Sequence, residues 1–307
     1  MSGNNPTAIT PRLLDTLRSQ PCMPADMWYA VVATTLCVLN RPEDIQAVYK
    51  HAVAADPGAG TAGAVADHAR QLRIARRLRE ALLKTSAIGG LPKTINALQE
   101  LKKAVPPGCL DEPQGGSPTN RRRDVYDTPA PDVLRRGRRF FDGCYGKVAP
   151  RVMTSLDHCG TEDLGLAVRL AYGYLLSTTS VLSEAETSFV MIAGLVPQDH
   201  TKEQKKTGRS GAAREGGESL GERETHRRAN RIGAAERQAA PELMRAQQVN
   251  PQLKGHLRGA LNGGASVEQV RAVRQVSIQV CRASGMRLLT ADDPPGCWGW
   301  RADVQDL

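Results

Sequence analysis

The sequence predicts an all-α fold made of two degenerate helical repeats. Three observations carry that expectation. The chain is 40% hydrophobic but only 4% aromatic, a mixture led by Ala, Leu and Val that suits packed helices better than strands. Apolar residues recur at i, i+3, i+4, i+7 and i+8 through much of its length. The periodic stretches also stop at Gly or Pro, the residues that end helices.

In the first half, PADMWYAVVATTLCVLN (24–40) predicts a buried helix, and its apolar run, 27–39, is too short to span a bilayer. RPEDIQAVYKHAV follows, with Ile45, Val48, Tyr49, Ala52 and Val53 on one helical face. A long segment, ADHARQLRIARRLREALLKTSAIGG, ends in a Gly-Gly-Leu-Pro stop, and LPKTINALQELKKAV restarts with Pro in its first turn. Residues 1–105 therefore read as a first helical repeat, and the Pro/Gly-rich, charged stretch 106–130 as a linker.

The second half, 131–290, carries VLRRGRRFFDGCYGKVAPRVMTSL, DLGLAVRLAYGYLLSTTSVL, SEAETSFVMIAGLVP, GHLRGALNGG and SVEQVRAVRQVSIQVCRASGM. Its order of apolar helix, Pro turn, amphipathic helix, Gly loop and closing helix parallels the first half; LREALLKTSAIGGL (78–91) compares with VRQVSIQVCRASGM (273–286). The second repeat divides into 131–199 and 249–290, with a tail at 291–307. Between its parts, 200–248 contains no Phe, Trp or Tyr and carries 11 Lys/Arg against 7 Asp/Glu. Such a segment buries too little apolar surface to offset the entropy of ordering, so disorder is expected there apart from a short helix near 234–247. It reads either as a regulatory loop or as translated non-coding sequence.

The formal charge of +9 raises nucleic acid as a partner, but +4 of it sits in that insert. The clusters RRR (121–123) and RRGRR (135–139) lack aromatic interleaving or a recognised binding module, so they read as solvated surface and no nucleic-acid partner is expected. Seven cysteines, at 22, 37, 109, 144, 159, 281 and 297, form no CxxC and no metal-ligand spacing, which points to a reducing, intracellular compartment; no metal or other cofactor is expected. The start has no basic-then-apolar leader, although Arg12 and Arg18 in a nearly acid-free stretch leave organelle import open. The final QDL is not a peroxisomal SKL-type address. No membrane partner is expected.

Few residues remain as candidates for chemistry. Leu253, His256, Leu257, Ala260 and Leu261 share a helical stripe, which turns His256 inward next to a glycine turn. Glu186 shares its stripe with Phe189, Val190, Ala193 and Gly194, so its carboxylate is expected to face inward towards His256. Each has a bland alternative. His256 also reads as a core histidine bonded to a carbonyl, and SEAE (183–186) is a capping box with Ser183 as cap. Lys254 and Arg258 read as surface cations. His51 does not superpose on His256; Val48 takes that place, so the first half is expected to be silent.

Joined across the insert, SEAETSFVMIAGLVPQD and VNPQLKGHLRGALNGGASVEQVRAV resemble the carboxymuconolactone decarboxylase family, the superfamily that includes the AhpD-like alkylhydroperoxidases. The residues that carry the likeness are His256, Ala260, Leu261, Gly264, Ala265, Ser266, Glu268, Gln269 and Val270. REALLKTSAIGGLPKTINAL in the first half resembles the same family's closing helix pair, as in its two-repeat fungal members. The resemblance implies an AhpD-like helical fold, a small-molecule substrate, and oligomers that a duplicated chain reduces to a monomer or dimer. It also implies a cytoplasmic, mitochondrial or peroxisomal location.

The peroxidase branch places cysteines seven and four residues before the histidine, where this chain has Val249 and Gln252. A dithiol peroxidase needs both thiols. The implied activity is therefore lyase-like decarboxylation of a small acidic lactone or carboxylate, with His256 as proton donor and Glu186 orienting it. A peroxidase-type oxidoreductase and a non-catalytic binding or scaffold protein are the alternatives.

Overall fold

A computed structural model describes residues 9–55, 64–111, 116–198, 250–289 and 299–301. The fold is all-α, as expected. Residues 200–248, with the short helix expected near 234–247, lie outside the described residues, as does Cys297.

Helix α1 (Pro11–Arg18) opens with Thr10, whose hydroxyl accepts the Leu13 N–H at 3.2 Å, and with Pro at the start, where no helical N–H partner is lost. Helix α2 (Trp28–Val38) has all of its side chains buried, which is why its sequence shows an apolar run rather than a stripe. After a short 3-10 turn at Pro42–Asp44 comes α3 (Ile45–Ala55), then α4 (Ala64–Gly89) and α5 (Leu91–Ala104). Gly90, at φ +84°, makes the corner between the last two; glycine adopts that conformation without steric penalty.

The stretch read as a linker carries structure of its own. It carries a 3-10 turn at Pro107–Cys109 and helix α6 (Arg121–Tyr126), and it packs along α4. Asp111 takes both Arg76 and Arg79, while Arg121 grips Glu80 with two hydrogen bonds of 2.7 and 2.6 Å. Pro and Gly report turns; they do not report whether the turns dock. The same contacts amend the reading of the arginine clusters. Arg121, and Arg136 paired with buried Asp124 at 2.6 Å, are structural ions rather than solvated surface.

The second half continues with α7 (Ala130–Tyr145), α8 (Ala149–Asp157) and α9 (Asp163–Leu170). Helix α9 runs straight into a π-helical turn at Ala171–Leu176. Helices α10 (Glu184–Leu195), α11 (Asn250–Asn262) and α12 (Val267–Ala283) follow. Two three-residue strands, β1 (Arg287–Leu289) and β2 (Gly299–Arg301), pair in parallel.

One hydrophobic core runs through both halves. Helix α10 lies at its centre, against α2, α4 and α11, and α12 closes over α2. The Thr35 hydroxyl on α2 donates to Ala193 O on α10 at 3.3 Å as well as to its own helix. Each fully buried Val, Leu or Ile in this core stabilises by roughly 1.5–3 kcal/mol, so the two halves hold each other folded.

Candidate functional site

Helix α11 turns Leu253, His256, Leu257 and Ala260 into the core, as its periodicity predicts. Leu261 departs from that stripe and is 42% exposed. Just after α11, Gly263 passes against Ala185 at the start of α10. Lys254 and Arg258 are exposed, as expected.

A second stripe on α11, of glycines, sets how close its neighbours come. A Cβ on Gly255 would meet the Tyr145 ring at 2.8 Å, and one on Gly259 would meet Cys144 Sγ at 2.8 Å and Ser188 Oγ at 3.0 Å. The absent methyl groups let α7 and α10 approach His256 from two sides. On the third side stands Tyr172, in the π turn. A Cβ on Gly137 of α7 would collide with the Gly173 backbone, so this pair of glycines fixes how α7 crosses the turn that presents Tyr172. π turns often occur at functional sites.

These elements enclose His256 in a group of uncharged polar side chains. Its Nδ1 lies 3.6 Å from Cys144 Sγ and its Nε2 3.3 Å from Tyr172 Oη; the two rings are stacked with centroids 6.3 Å apart. His256 is only 3% exposed. Burial pulls its pKa down to about 4 and pushes the Cys144 thiol up to about 12. Burial likewise raises the Tyr172 phenol well above its ordinary value, and the Tyr145 phenol adds to the effect. At neutral pH the imidazole, thiol and phenol are all uncharged. A thiolate–imidazolium pair does not form here.

A cavity of about 350 Å³ reaches this group through Tyr172. Its floor is apolar and aromatic (Leu134, Phe141, Met153, Tyr172), and Arg135, Arg138 and Arg169 line it as well. Arg135 pairs with Asp132 and Arg138 with Asp142, both on exposed helix surface, where ion pairs contribute little and are readily exchanged. Arg169 is held by Asp157 through two bonds of 2.5 and 2.7 Å. A cationic rim over an aromatic floor suits a small organic carboxylate.

Glu186 is engaged elsewhere. It closes the expected capping box with Ser183, and its Oε1 accepts from Arg77 Nη2 at 2.6 Å. Arg77 also donates to Asp26 O and Val181 O. His256 bonds to Cys144 and Tyr172, and Glu186 to Arg77 and Ser183. The structure therefore sets the two sequence candidates in separate hydrogen-bond groups. His51 sits in the first half with its Nε2 3.0 Å from Asp15, and Val48 is buried.

Sequence reasoning missed Cys144, Tyr172 and Ser188. The signal available for them was indirect: glycines inside helical stretches, at 137, 173, 255 and 259, each marking a close helix approach. It also missed Lys84, which has no exposed surface and donates to Leu176 O, Thr178 O and the Thr187 hydroxyl at 2.9, 2.7 and 2.6 Å. Burial lowers the Lys84 pKa to about 8. This ammonium ties the C-terminal end of the π turn to α4 and α10, and so holds the turn that carries Tyr172. Among the described residues, no group of three or more His, Cys, Asp or Glu is placed to hold a metal ion, and no helix is long and apolar enough to cross a membrane.

The chain is 31% identical to Peroxisomal protein 2 of Schizosaccharomyces pombe over 258 residues, which cover 84% of this chain and 86% of that protein. It belongs to the Peroxisomal protein 2 family. A second member, Peroxisomal protein 2 of Saccharomyces cerevisiae, is 25% identical over 302 residues, covering 85% of this chain and 89% of its own. No family model and no solved structure matches this member of the Peroxisomal protein 2 family, so its likeness to the carboxymuconolactone decarboxylases is carried by the motif residues alone.

Proposed function

We propose that this member of the Peroxisomal protein 2 family is a peroxisomal, carboxymuconolactone-decarboxylase-like lyase that acts on a small apolar carboxylate or acidic lactone. One observation carries the reading: Tyr172 lines the arginine-rimmed cavity and also touches His256. The relatives' names favour the peroxisome over a cytoplasmic or mitochondrial location.

In this reading Arg135 and Arg138 draw the carboxylate to the cavity and the apolar body rests on Phe141 and Met153. The bond to the carboxylate carbon breaks, CO₂ leaves, and the electron pair passes into the adjacent conjugated carbonyl as an enolate. The Tyr172 hydroxyl donates its proton to the substrate carbon. His256, neutral at working pH, keeps its hydrogen on Nε2 and donates to Tyr172 Oη, while the Cys144 thiol donates to Nδ1; the phenol hydrogen, bonded at rest to the Tyr145 hydroxyl, turns from it to the substrate. Solvent then restores the phenol proton. Glu186 enters as a positioning residue. Its cap and its ion pair hold the start of α10, the helix whose Ser188 lies beside Cys144.

A non-catalytic small-molecule-binding role is the second reading. It is favoured by the depth of His256, which meets the cavity only through Tyr172. A peroxidase is the least supported, because the thiol beside His256 is held protonated and positions 249 and 252 are not cysteine. Release of CO₂ from a panel of carboxyl-labelled lactone acids and small carboxylates, measured with the purified full chain, tests the lyase reading. Saturable release supports it. Binding without release turns the reading to the second one, and neither binding nor release contradicts both.

A further inference from the structure

A larger cavity lies in the first half, far in sequence from Tyr172. It measures about 710 Å³ and opens between α1, the start of α2, the end of α3 and α4. Its apolar lining comes from Met23, Trp28, Ala52 and Ile74, and Tyr29 forms part of the same wall. The volume falls within the range of sites that take organic ligands.

Two features give it a chemistry. The first is charge. Four ionic residues line the cavity: Asp26 meets Arg73 at 2.5 Å, and Asp15 lies 3.0 Å from His51 Nε2, a pair that is ionic only when the imidazole is protonated. Arg12 and Arg18 project from one helix and pair with no acid among the described residues. The second is Tyr29. It is buried to 2% exposure beside the Arg77 guanidinium, a further cation behind this wall of the cavity. The Trp28 indole, edge-on to both Tyr29 and His51, supplies a rigid wall beside it.

We propose that this cavity is a second ligand site, which takes an amphipathic organic anion: an apolar body against Trp28, Met23 and Ile74, with its carboxylate between Arg12 and Arg18. The site is independent of the lyase reading, since its residues share nothing with the Tyr172 cavity. It assigns a binding role to the half of the chain that carries no counterpart of His256.

Fluorescence titration of the full chain with dansyl-aminoundecanoate, and with its methyl ester, tests this. Saturable one-to-one binding of the acid is expected, and the ester should bind at least about tenfold more weakly. Arg12→Ser/Arg18→Ser should weaken the acid by a similar factor and leave the ester unchanged. Ala25→Trp, at an exposed position on the cavity wall, should abolish binding without lowering the melting temperature. Arg135→Ser/Arg138→Ser, at the other cavity, should leave this binding intact. The proposal is overturned by no binding to the native chain, by equal affinity for acid and ester, by intact binding in a folded Ala25→Trp chain, or by loss of binding only in the Arg135/Arg138 variant.

Discussion

Tyr172 Oη and His256 Nε2 lie 3.3 Å apart between parallel rings, inside the fold and across 84 residues of sequence. Tyr172 belongs to a cavity wall and His256 to the core, so a neutral imidazole stands directly behind a residue that lines the cavity. The chemistry proposed for this chain depends on that contact.

The depressed pKa of His256 makes a pH prediction. The unfolded chain protonates this imidazole near 6.5 and the folded chain only near 4, so between those values the unfolded state binds more protons. Its contribution to stability is fully present above about pH 6.5 and is lost as pH falls towards 4. Chemical denaturation should show roughly 3 kcal/mol of acid-dependent stability in the native chain that is missing in His256→Gln. Parallel pH profiles for the two proteins would refute the buried, neutral state.

Gly259→Ala tests the packing behind the site. The new methyl would press on Cys144 Sγ and Ser188 Oγ, and overpacking of this kind costs about 1–3 kcal/mol. Adding Cys144→Ala should recover most of the loss, because it empties the space that the methyl needs. A destabilisation equal in the single and double variants would show that the strain lies elsewhere.

Glu186→Gln separates cap from charge. Glutamine still serves a capping box, but the ion pair to part-buried Arg77 is lost. Thermal denaturation should show a loss of roughly 1–3 kcal/mol, with any turnover per folded molecule changed only a few-fold. A loss of turnover as large as that of Tyr172→Phe, in a stable protein, would place Glu186 among the catalytic residues instead.

Lys84→Met removes the donor shared by Leu176 O, Thr178 O and Thr187. Leaving buried acceptors unpaired costs about 1–3 kcal/mol, and the π turn should loosen. Hydrogen exchange of the amides at 171–178 should speed up more than that of α2. Uniform exchange rates across the two segments would contradict a local role for Lys84.

What could be read from the sequence followed from local physics. Helix periods, the Ser183–Glu186 cap, the Gly90 corner and the inward face of His256 are all set by neighbours within a turn or two, so spacing reveals them. The partners of His256 are not. Cys144 is 112 residues away and Tyr172 is 84, and no spacing rule connects positions that only tertiary packing brings together. The π turn at Ala171–Leu176 keeps an ordinary helical pattern in its residues, so periodicity does not distinguish it. Glu186 shows the opposite failure. Its stripe pointed inward as read, but Arg77, from the other half of the chain, reached the carboxylate first.

The most direct test of the central claim compares CO₂ release per folded molecule by the native chain, His256→Gln and Tyr172→Phe, on the best substrate of a carboxyl-labelled panel. General acid–base groups typically contribute about 10²–10⁴-fold. The account predicts a loss in that range for Tyr172→Phe, which still folds and still binds the substrate, and a smaller loss for His256→Gln, since His256 acts through the Tyr172 hydroxyl. Undiminished release by a stable His256→Gln or Tyr172→Phe protein would contradict it.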